Sequence, residues 1–177
     1  NFTAGANIMM IAMMAYQQEW DELNMAVNVF QQTSMRIRYS AVPVVIATQG
    51  YVFGGGCEFS MHADAVVSAA ESYVGLVEVG VGLIPGGGGT KEFAVRLGDD
   101  INREGDVQIP RLIDTFKTIA TAQVATSADE AFKFGYFRHE KDSIVRNAAR
   151  NISEAKKKVL ELADDYVQPI PRKDVYV

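Results

Sequence analysis

The sequence is poor in cysteine, histidine and basic residues, and each shortage argues against a class of protein. Its single cysteine, Cys57, cannot form an internal disulfide, which is typical of a reducing compartment, and we expect a cytoplasmic protein. With only His62 and His139 besides, we expect no metal site. The 177 residues carry 17 Lys and Arg against 22 Asp and Glu, and this net charge of −5 argues against a nucleic-acid partner.

Long apolar runs are also missing. The longest, residues 8–16 and 41–48, are far shorter than the roughly 20 residues that span a bilayer, so we expect no membrane insertion. The first run holds Met9, Met10, Met13 and Met14, which we interpret as an adaptable apolar wall, either of the core or of an acyl-chain pocket. The length fits one domain, and because the chain has no initiator methionine we expect it to be part of a longer polypeptide.

Charge and glycine divide the chain into two parts. Residues 1–90 hold twelve of the 15 glycines, seven acids and two bases, whereas residues 91–177 hold fifteen acids and fifteen bases. We therefore expect a glycine-bent core over residues 1–98 and a charged helical region over residues 99–177.

Hydrophobic periodicity predicts the α/β class. The continuous apolar, β-branched run at 43–49 is typical of a strand buried on both faces, and shorter strands are predicted at 64–69 and 72–75. Helices are predicted at 22–38, 57–62, 90–97, 109–123, 128–134 and 143–166, with Gly98 ending the third. Helices that alternate with strands around a buried parallel strand indicate the α/β class.

The last predicted helix carries a narrow apolar seam at alternating spacings of three and four residues, formed by Val145, Ala148, Ile152, Ala155, Val159, Leu162 and Tyr166. Such a seam packs either on the helix's own core or on another subunit. Because the other faces are charged, with Lys156–Lys158 interpreted as a solvated face, we expect the seam to mediate self-association.

Three glycine-rich turns lie at residues 4–6, 50–56 and 83–89. None matches a nucleotide-binding pattern, since no Lys-Ser or Lys-Thr follows Gly89 and no Gly-x-Gly-x-x-Gly opens a helix after a strand. The backbone N–H groups of Gly54–Gly56 instead lie at a predicted helix N-terminus, where the partial positive charge favours an oxyanion.

Two glutamates lie in the stretch between Arg38 and Lys91, which contains no Lys or Arg. Glu58 directly follows the Gly-Gly-Gly-Cys turn, and Glu78 is flanked by aliphatic residues. Each alone is interpreted more readily as a structural acid, but together they indicate a pair that divides acid and base roles. We expect His62, one helical turn after Glu58, to be a structural histidine able to hydrogen-bond it, and Cys57 to be a small core residue.

Four segments of the sequence resemble the crotonase superfamily, the enoyl-CoA hydratases and isomerases: residues 2–7, 43–59, 77–90 and 126–136. The resemblance implies a spiral of β-β-α units with a C-terminal helical region, and the N-terminal strands that usually precede Phe2 are missing from this chain. The sequence differs from the usual pattern of this superfamily in three places. It has Asn7 where many members have Asp, a longer connection at 99–125, and Gly135-Tyr-Phe in place of a common Gly-Leu-Val.

The resemblance also implies the roles of individual residues. Ala6 and Gly55 are expected to supply the two backbone N–H groups of the oxyanion hole. Glu58 and Glu78 match the two catalytic carboxylates of the hydratases, and we assign Glu58 the base role and Glu78 the acid role. Further substrate contacts are expected from Ala4, Gly5, Gly54, Pro85 and Gly86.

The implied function is an enoyl-CoA hydratase module of fatty-acid β-oxidation, similar to the module fused to a 3-hydroxyacyl-CoA dehydrogenase in bifunctional proteins. CoA is expected as part of an acyl-CoA substrate, no cofactor is expected to bind tightly, and NAD is expected only if a dehydrogenase domain precedes this chain. Two alternatives stay open: an isomerase in which Glu78 alone moves the proton, and a catalytically silent acyl-CoA-binding or assembly module. Because family members commonly trimerise through C-terminal helices, we expect a homo-oligomer, with a trimer favoured, or packing on a fused dehydrogenase domain.

Overall fold

A computed structural model describes residues 1–100, 109–173 and 175 of the chain. The first elements, in chain order, are α1 (Ile8–Tyr16), α2 (Trp20–Arg38), β1 (Val45–Phe53), α3 (Gly55–His62) and β2 (Ala65–Gly75). A 3-10 helix (Glu78–Val81) and α4 (Gly89–Asp100) come next. The last described elements are α5 (Ile109–Ala120), β3 (Val124–Ala125), α6 (Ala128–Lys133), β4 (Ser143–Val145), a 3-10 helix (Ala148–Arg150) and α7 (Asn151–Ala163). The predicted α/β class is confirmed.

Strand β2 lies at the centre of the described sheet. It pairs in parallel with β1, from Val45 opposite Ala65 to Phe53 opposite Gly75. On its other side, β4 pairs in parallel with residues 67–69, and β3 pairs antiparallel with the last two residues of β2. Residues 65–69 are all buried, as expected for a strand that is covered on both faces.

Both strands are longer than their sequence patterns predict. The run predicted at 43–49 forms β1 from Val45 to Phe53, because the chain passes Gly50 with φ +63° and a register shift instead of turning there. The two strands predicted at 64–69 and 72–75 are one continuous strand. Its partner β1 extends past the irregularity, so pairing continues across the predicted break.

One apolar cluster joins the sheet to α3, α4 and α6. Its buried members are Val52, Cys57, Met61, Val66, Val74, Leu76, Phe93, Ala125, Ala128, Ala131, Tyr136 and Phe137. Cys57 is fully buried there, which confirms its interpretation as a core residue, and burial raises the pKa of its thiol well above the usual value. Since α3 carries Glu58 and α4 follows the third glycine-rich turn, this core fixes the two elements that flank the predicted site.

The prediction of one helix from 143 to 166 was wrong at its start. Residues 143–145 form β4 against β2, and α7 begins only at Asn151, so Val145 and Ala148 lie outside the helix. Ala155 is buried where α7 packs on the sheet, whereas Ile152 is 78% exposed. The seam is therefore not one continuous surface, because strand pairing at the edge of β2 outweighs the helical spacing.

Three other helices also differ from the sequence patterns. The methionine-rich run forms α1, capped by the Asn7 side chain. Met9, Met10 and Met13 are exposed, so the core alternative was wrong for these three, and the acyl-chain pocket stays a prediction. Helix α4 continues past Gly98 to Asp100, and α5 ends three residues before the predicted Gln123. Part of the unusual connection at 99–125, residues 101–108, lies outside the described residues. Within the described ranges, no helix is long and apolar enough to cross a membrane.

Candidate active site

Glu58 lies in the first turn of α3, just beyond the end of β1, and is 1% exposed. Its Oε1 accepts hydrogen bonds from the backbone N–H groups of Gly87 and Gly89, at 2.8 and 2.9 Å. A methyl group on Gly87 would lie 2.5 Å from Glu58 Oε2 and would overlap the ring of Phe30, so a glycine is needed for this close approach. Burial raises the pKa of Glu58, and the hydrogen bonds from Gly89 and Gly87 oppose that shift.

Glu78 begins the 3-10 helix that follows β2 and is half-buried. It faces the turn between β1 and α3, since a methyl group on Gly54 would lie 3.1 Å from Glu78 Oε1. Its Oε2 is buried and, among the described residues, has no hydrogen-bond partner. Burial, reinforced by the charge of Glu58, raises the pKa of Glu78 to about 7. We call Glu58 and Glu78 the glutamate pair, because the fold brings them close enough to couple electrostatically.

The chain enters α3 through Gly54, whose φ of +53° favours glycine. The N–H of Gly54 donates to the carbonyl of Gly75 at 2.9 Å, which ties the end of β1 to the end of β2. Gly55 is then the first residue of α3, where backbone N–H groups have no partner within the helix. This arrangement provides the helix N-terminus that an oxyanion hole needs beside the glutamate pair.

The turn at residues 4–6 lies against the same helix start. Thr3 pairs with Val52 of β1, and its side chain packs so closely on Gly56 that a methyl group there would overlap it. The Thr3 hydroxyl accepts a hydrogen bond from the Gly5 N–H at 3.0 Å, which bends the chain through Gly5 with φ +100°. Ala6 follows this turn and is exposed, and its role as the second oxyanion donor stays a prediction.

Pro85 and Gly86 precede the two glycines that hold Glu58. Pro85 is buried, and the carbonyl of Gly86 accepts a hydrogen bond from the Gln31 side chain at 2.8 Å. Pro85 also lines an apolar cavity of about 430 Å³ between the first 3-10 helix, α4 and α5, together with Val79, Ile84, Thr90, Phe93, Ala94, Leu97, Leu112, Thr115, Phe116, Ile119 and Ala120. One of these lining residues, Val79, follows Glu78 in the first 3-10 helix.

His62 and Glu92 form a second buried group behind Glu58. His62 Nδ1 lies 2.6 Å from the backbone carbonyl oxygen of Glu58, so the imidazole donates to the peptide and not to the carboxylate. Its Nε2 is 3.6 Å from Glu92 Oε1. Burial lowers the pKa of His62 to about 4, which makes it neutral near pH 7. The prediction of a structural histidine agrees with this geometry.

Sequence reasoning missed Glu92, which is 1% exposed. Lys91 Nζ lies 2.5 Å and Arg38 Nε 3.6 Å from Glu92 Oε1. Burial acts to raise the pKa of Glu92, but the charge of Arg38 and the hydrogen bond from Lys91 outweigh it and hold the pKa below its usual value. We call Arg38, His62, Lys91 and Glu92 the Glu92 cluster. The sequence feature that could have indicated its burial is its position next to Phe93 in the short helix predicted at 90–97.

The segment that holds these two glutamates and the three glycine turns is similar in sequence to a known family. The family model for enoyl-CoA hydratase/isomerase matches residues 1–105. The chain belongs to the enoyl-CoA hydratase/isomerase family. The resemblance inferred from the motifs is thereby confirmed.

Two similar proteins are much longer than this chain. A probable 3-hydroxyacyl-CoA dehydrogenase of Bacillus subtilis is 40% identical over 177 residues, which is 100% of this chain and 22% of that protein. A Rickettsia felis protein described as a fatty acid oxidation complex trifunctional enzyme is 32% identical over 142 residues, 80% of this chain and 18% of that protein. The chain thus spans about a fifth of the length of these curated relatives.

Solved structures confirm the predicted fold. The crystal structure of an enoyl-CoA hydratase from Polaromonas sp. JS666 matches with a TM-score of 0.67, covering 90% of this chain and 55% of that one. The sequence identity is 22%, so this likeness shows the fold alone.

Proposed function

We propose that this chain is an enoyl-CoA hydratase module, which adds water to a 2-trans-enoyl-CoA to give a 3-hydroxyacyl-CoA. The observation that carries the proposal is the glutamate pair, one buried and one half-buried carboxylate in different environments. Oε1 of Glu58 accepts two backbone hydrogen bonds, whereas Oε2 of Glu78 has no partner among the described residues. Environments that separate two carboxylates in this way assign one to base and the other to acid chemistry.

Each residue has one task in the proposed reaction. Two N–H donors favour the ionised form of Glu58, which takes a proton from water as the water oxygen bonds to C3. Glu78, whose pKa is raised to about 7, is protonated often enough to deliver its proton to C2. Negative charge that develops on the thioester oxygen is stabilised by the backbone N–H groups of Ala6 and Gly55. Exchange with solvent then removes the proton from Glu58 and returns one to Glu78.

The substrate and cofactor requirements follow from this chemistry. Hydration transfers no electrons, so NAD would serve only a dehydrogenase domain. The relatives from Bacillus subtilis and Rickettsia felis, described as a 3-hydroxyacyl-CoA dehydrogenase and a fatty acid oxidation trifunctional enzyme, support a place in fatty-acid β-oxidation beside such a domain. Ala4, Gly5, Gly54, Pro85 and Gly86 are proposed to contact the acyl-CoA. The single buried cysteine supports a cytoplasmic location.

One observation favours a second candidate, an enoyl-CoA isomerase. A carboxylate with a pKa of about 7 can both accept and return a proton, so Glu78 alone suffices to move a double bond. The hydratase is the better proposal because the turn at residues 86–89 approaches Glu58 so closely that glycine is needed at position 87.

The two candidates separate in steady-state assays of Glu58→Gln and Glu78→Gln on 2-butenoyl-CoA and 3-butenoyl-CoA. For the hydratase, each substitution lowers kcat for hydration by about 10²–10⁴-fold, because each removes a proton-transferring group. For the isomerase, Glu58→Gln keeps full isomerisation of the 3-enoyl substrate. A wild-type protein that binds both thioesters and converts neither would contradict both proposals.

A further inference from the structure

The ring of Phe30 lies between the two glycine turns of the candidate active site. A methyl group on Gly55 would be 2.5 Å from Phe30 Cζ, and a methyl group on Gly87 would overlap the same ring. Phe30 is thus in van der Waals contact with the proposed oxyanion donor and with a glycine that binds Glu58. Helix α2 supplies this side chain from outside the sheet.

Two contacts fix the position of the ring. Phe30 stacks on Phe59, the residue next to Glu58, with ring centroids 4.6 Å apart. The next residue of α2, Gln31, donates its side-chain N–H to the carbonyl of Gly86 at 2.8 Å. Val29, on the other side of Phe30 in sequence, is 59% exposed. Phe30 therefore faces the site while its neighbour faces solvent.

The reacting carbons must pass close to this ring. In the proposed reaction the thioester oxygen lies on the Gly55 N–H and the attacking water lies on Glu58, each about 3 Å from its partner. The short segment from C1 to C3 connects those two points. A ring that touches both Gly55 and Gly87 lies alongside that segment and leaves little width for a substituent there.

We propose that Phe30 determines specificity by excluding enoyl-CoA substrates that carry a methyl branch at C2 or C3, while straight chains pass. This inference rests on the proposed hydratase function. It assigns to an otherwise exposed helix a role in selecting the acyl group.

The test compares kcat/KM for 2-methyl-2-butenoyl-CoA and 3-methyl-2-butenoyl-CoA with kcat/KM for 2-butenoyl-CoA. For Phe30→Ala we expect the branched-to-straight ratio to rise at least about tenfold for one of the two probes, since one methyl group in a tight apolar site changes selectivity by about 10–200-fold. Phe30→Leu, which keeps more of the core volume, is expected to raise the ratio less and serves if the alanine variant does not fold. The matched control, Val29→Ala on the exposed face, is expected to leave the ratio unchanged.

The inference would be overturned if the branched-to-straight ratio of kcat/KM stayed at the wild-type value for both branched probes in folded Phe30→Ala. Where the alanine variant does not fold, the same result in folded Phe30→Leu would overturn it. Either result leaves the hydratase function intact. If the wild-type protein hydrates no enoyl-CoA, the proposed function fails by itself. Selection by the ring is then measured by calorimetry with butanoyl-CoA and 2-methylbutanoyl-CoA. A higher relative affinity for the branched thioester in the Phe30 variant supports the inference, and equal ratios in variant and wild type contradict it.

Discussion

The glutamate pair and the Glu92 cluster bury carboxylates on two sides of the same glycine turn, but they neutralise them differently. Glu58 and Glu92 are each 1% exposed. Glu58 accepts hydrogen bonds from two neutral peptide groups, whereas Glu92 has the cations Lys91 and Arg38 beside it. At Glu58 burial raises the pKa, and the peptide hydrogen bonds oppose that shift only in part. At Glu92 burial acts in the same direction, but the two cations outweigh it and lower the pKa.

The difference separates a carboxylate that can exchange protons from one that cannot. Peptide dipoles orient a carboxylate without fixing its charge. At Glu78 burial raises the pKa to about 7, and the charge of Glu58 adds to that shift. Two cations keep Glu92 ionised at any pH near neutrality. The turn between them is attached on both sides, because Gly87 and Gly89 donate to Glu58 while the N–H of Glu92 donates to the carbonyl of Gly88.

Outside the glutamate pair itself, the largest effect is expected from Gly87→Ala, which changes the peptide groups that bind Glu58. The new methyl group would overlap Phe30 and press on Glu58, so the turn must retreat and the N–H of Gly87 is lost to the carboxylate. Loss of one preorganised donor in an active site typically costs about 10²–10³-fold in rate, and we expect kcat for hydration to fall by about 100-fold.

Gly80→Ala is the matched control for that loss. A methyl group on Gly80 would lie 3.5 Å from the Ala122 side chain, which is an ordinary contact. We expect Gly80→Ala to keep the wild-type kcat. Equal rates for Gly87→Ala and wild type in the same hydration assay would show that the backbone donors do not orient Glu58.

Glu92→Gln removes the carboxylate charge of the Glu92 cluster and is expected to lower the free energy of unfolding by about 2 kcal/mol at pH 7. Removing one partner of a fully buried ion pair costs about 3–5 kcal/mol, and the cost is smaller here because Lys91 and Arg38 are partly exposed. The pKa of Glu92 is lowered in the folded protein, so its stabilisation is present above the unfolded pKa and is lost as pH falls through the folded one. Urea unfolding of both proteins at several pH values measures this, and a difference that grows toward low pH would contradict it.

The same substitution at Glu78 is expected to act in the opposite direction. The pKa of Glu78 is raised to about 7, so the folded state binds its proton more tightly, and stability falls as pH rises from the unfolded pKa toward 7. At pH 8 the wild-type protein holds a buried, ionised carboxylate, and Glu78→Gln removes that penalty. We expect a gain of about 1 kcal/mol at pH 8, discounted because the residue is half-buried, and little gain at pH 4. A loss of stability at pH 8 would mean that Glu78 has a charged partner in the folded protein.

The sequence was enough to identify the glutamate pair but not the Glu92 cluster, and the reason is physical. Glu58 and Glu78 stand out because the chain carries no Lys or Arg from residue 39 to 90, so a local ion pair is excluded. Glu92 lies in a region with fifteen acids and fifteen bases, where a buried carboxylate looks like any solvated one. Its burial arises only when α4 packs against α3, and one of its cations, Arg38, comes from a distant helix.

The same limit applies to the fold. The apolar run at 43–49 identified β1 because burial on both faces leaves a local signature. The short β4 depends instead on pairing with residues 67–69 of β2, which are distant in the sequence. The helix that carries Phe30 was predicted at 22–38, yet the contact of Phe30 with two glycines follows from glycine turns on other segments. Local periodicity gives elements and faces, and contacts between distant segments decide which of them form the site.

The smallest effect on stability is expected from Ile152→Asp, which tests whether α7 joins subunits. Asn151 and Ala155 of α7 are buried against the chain's own sheet, where the Asn151 side chain donates to the carbonyl of Thr48 at 2.7 Å. Ile152 and Leu160 remain exposed on other sides of the helix. We expect Ile152→Asp to change the free energy of unfolding by less than about 0.5 kcal/mol and to shift an oligomer to the monomer in light scattering, while Ser153→Asp on the same helix leaves the mass unchanged. An Ile152→Asp protein of unaltered oligomeric mass would remove α7 from the interface, and self-association would then have to use a surface other than the predicted seam.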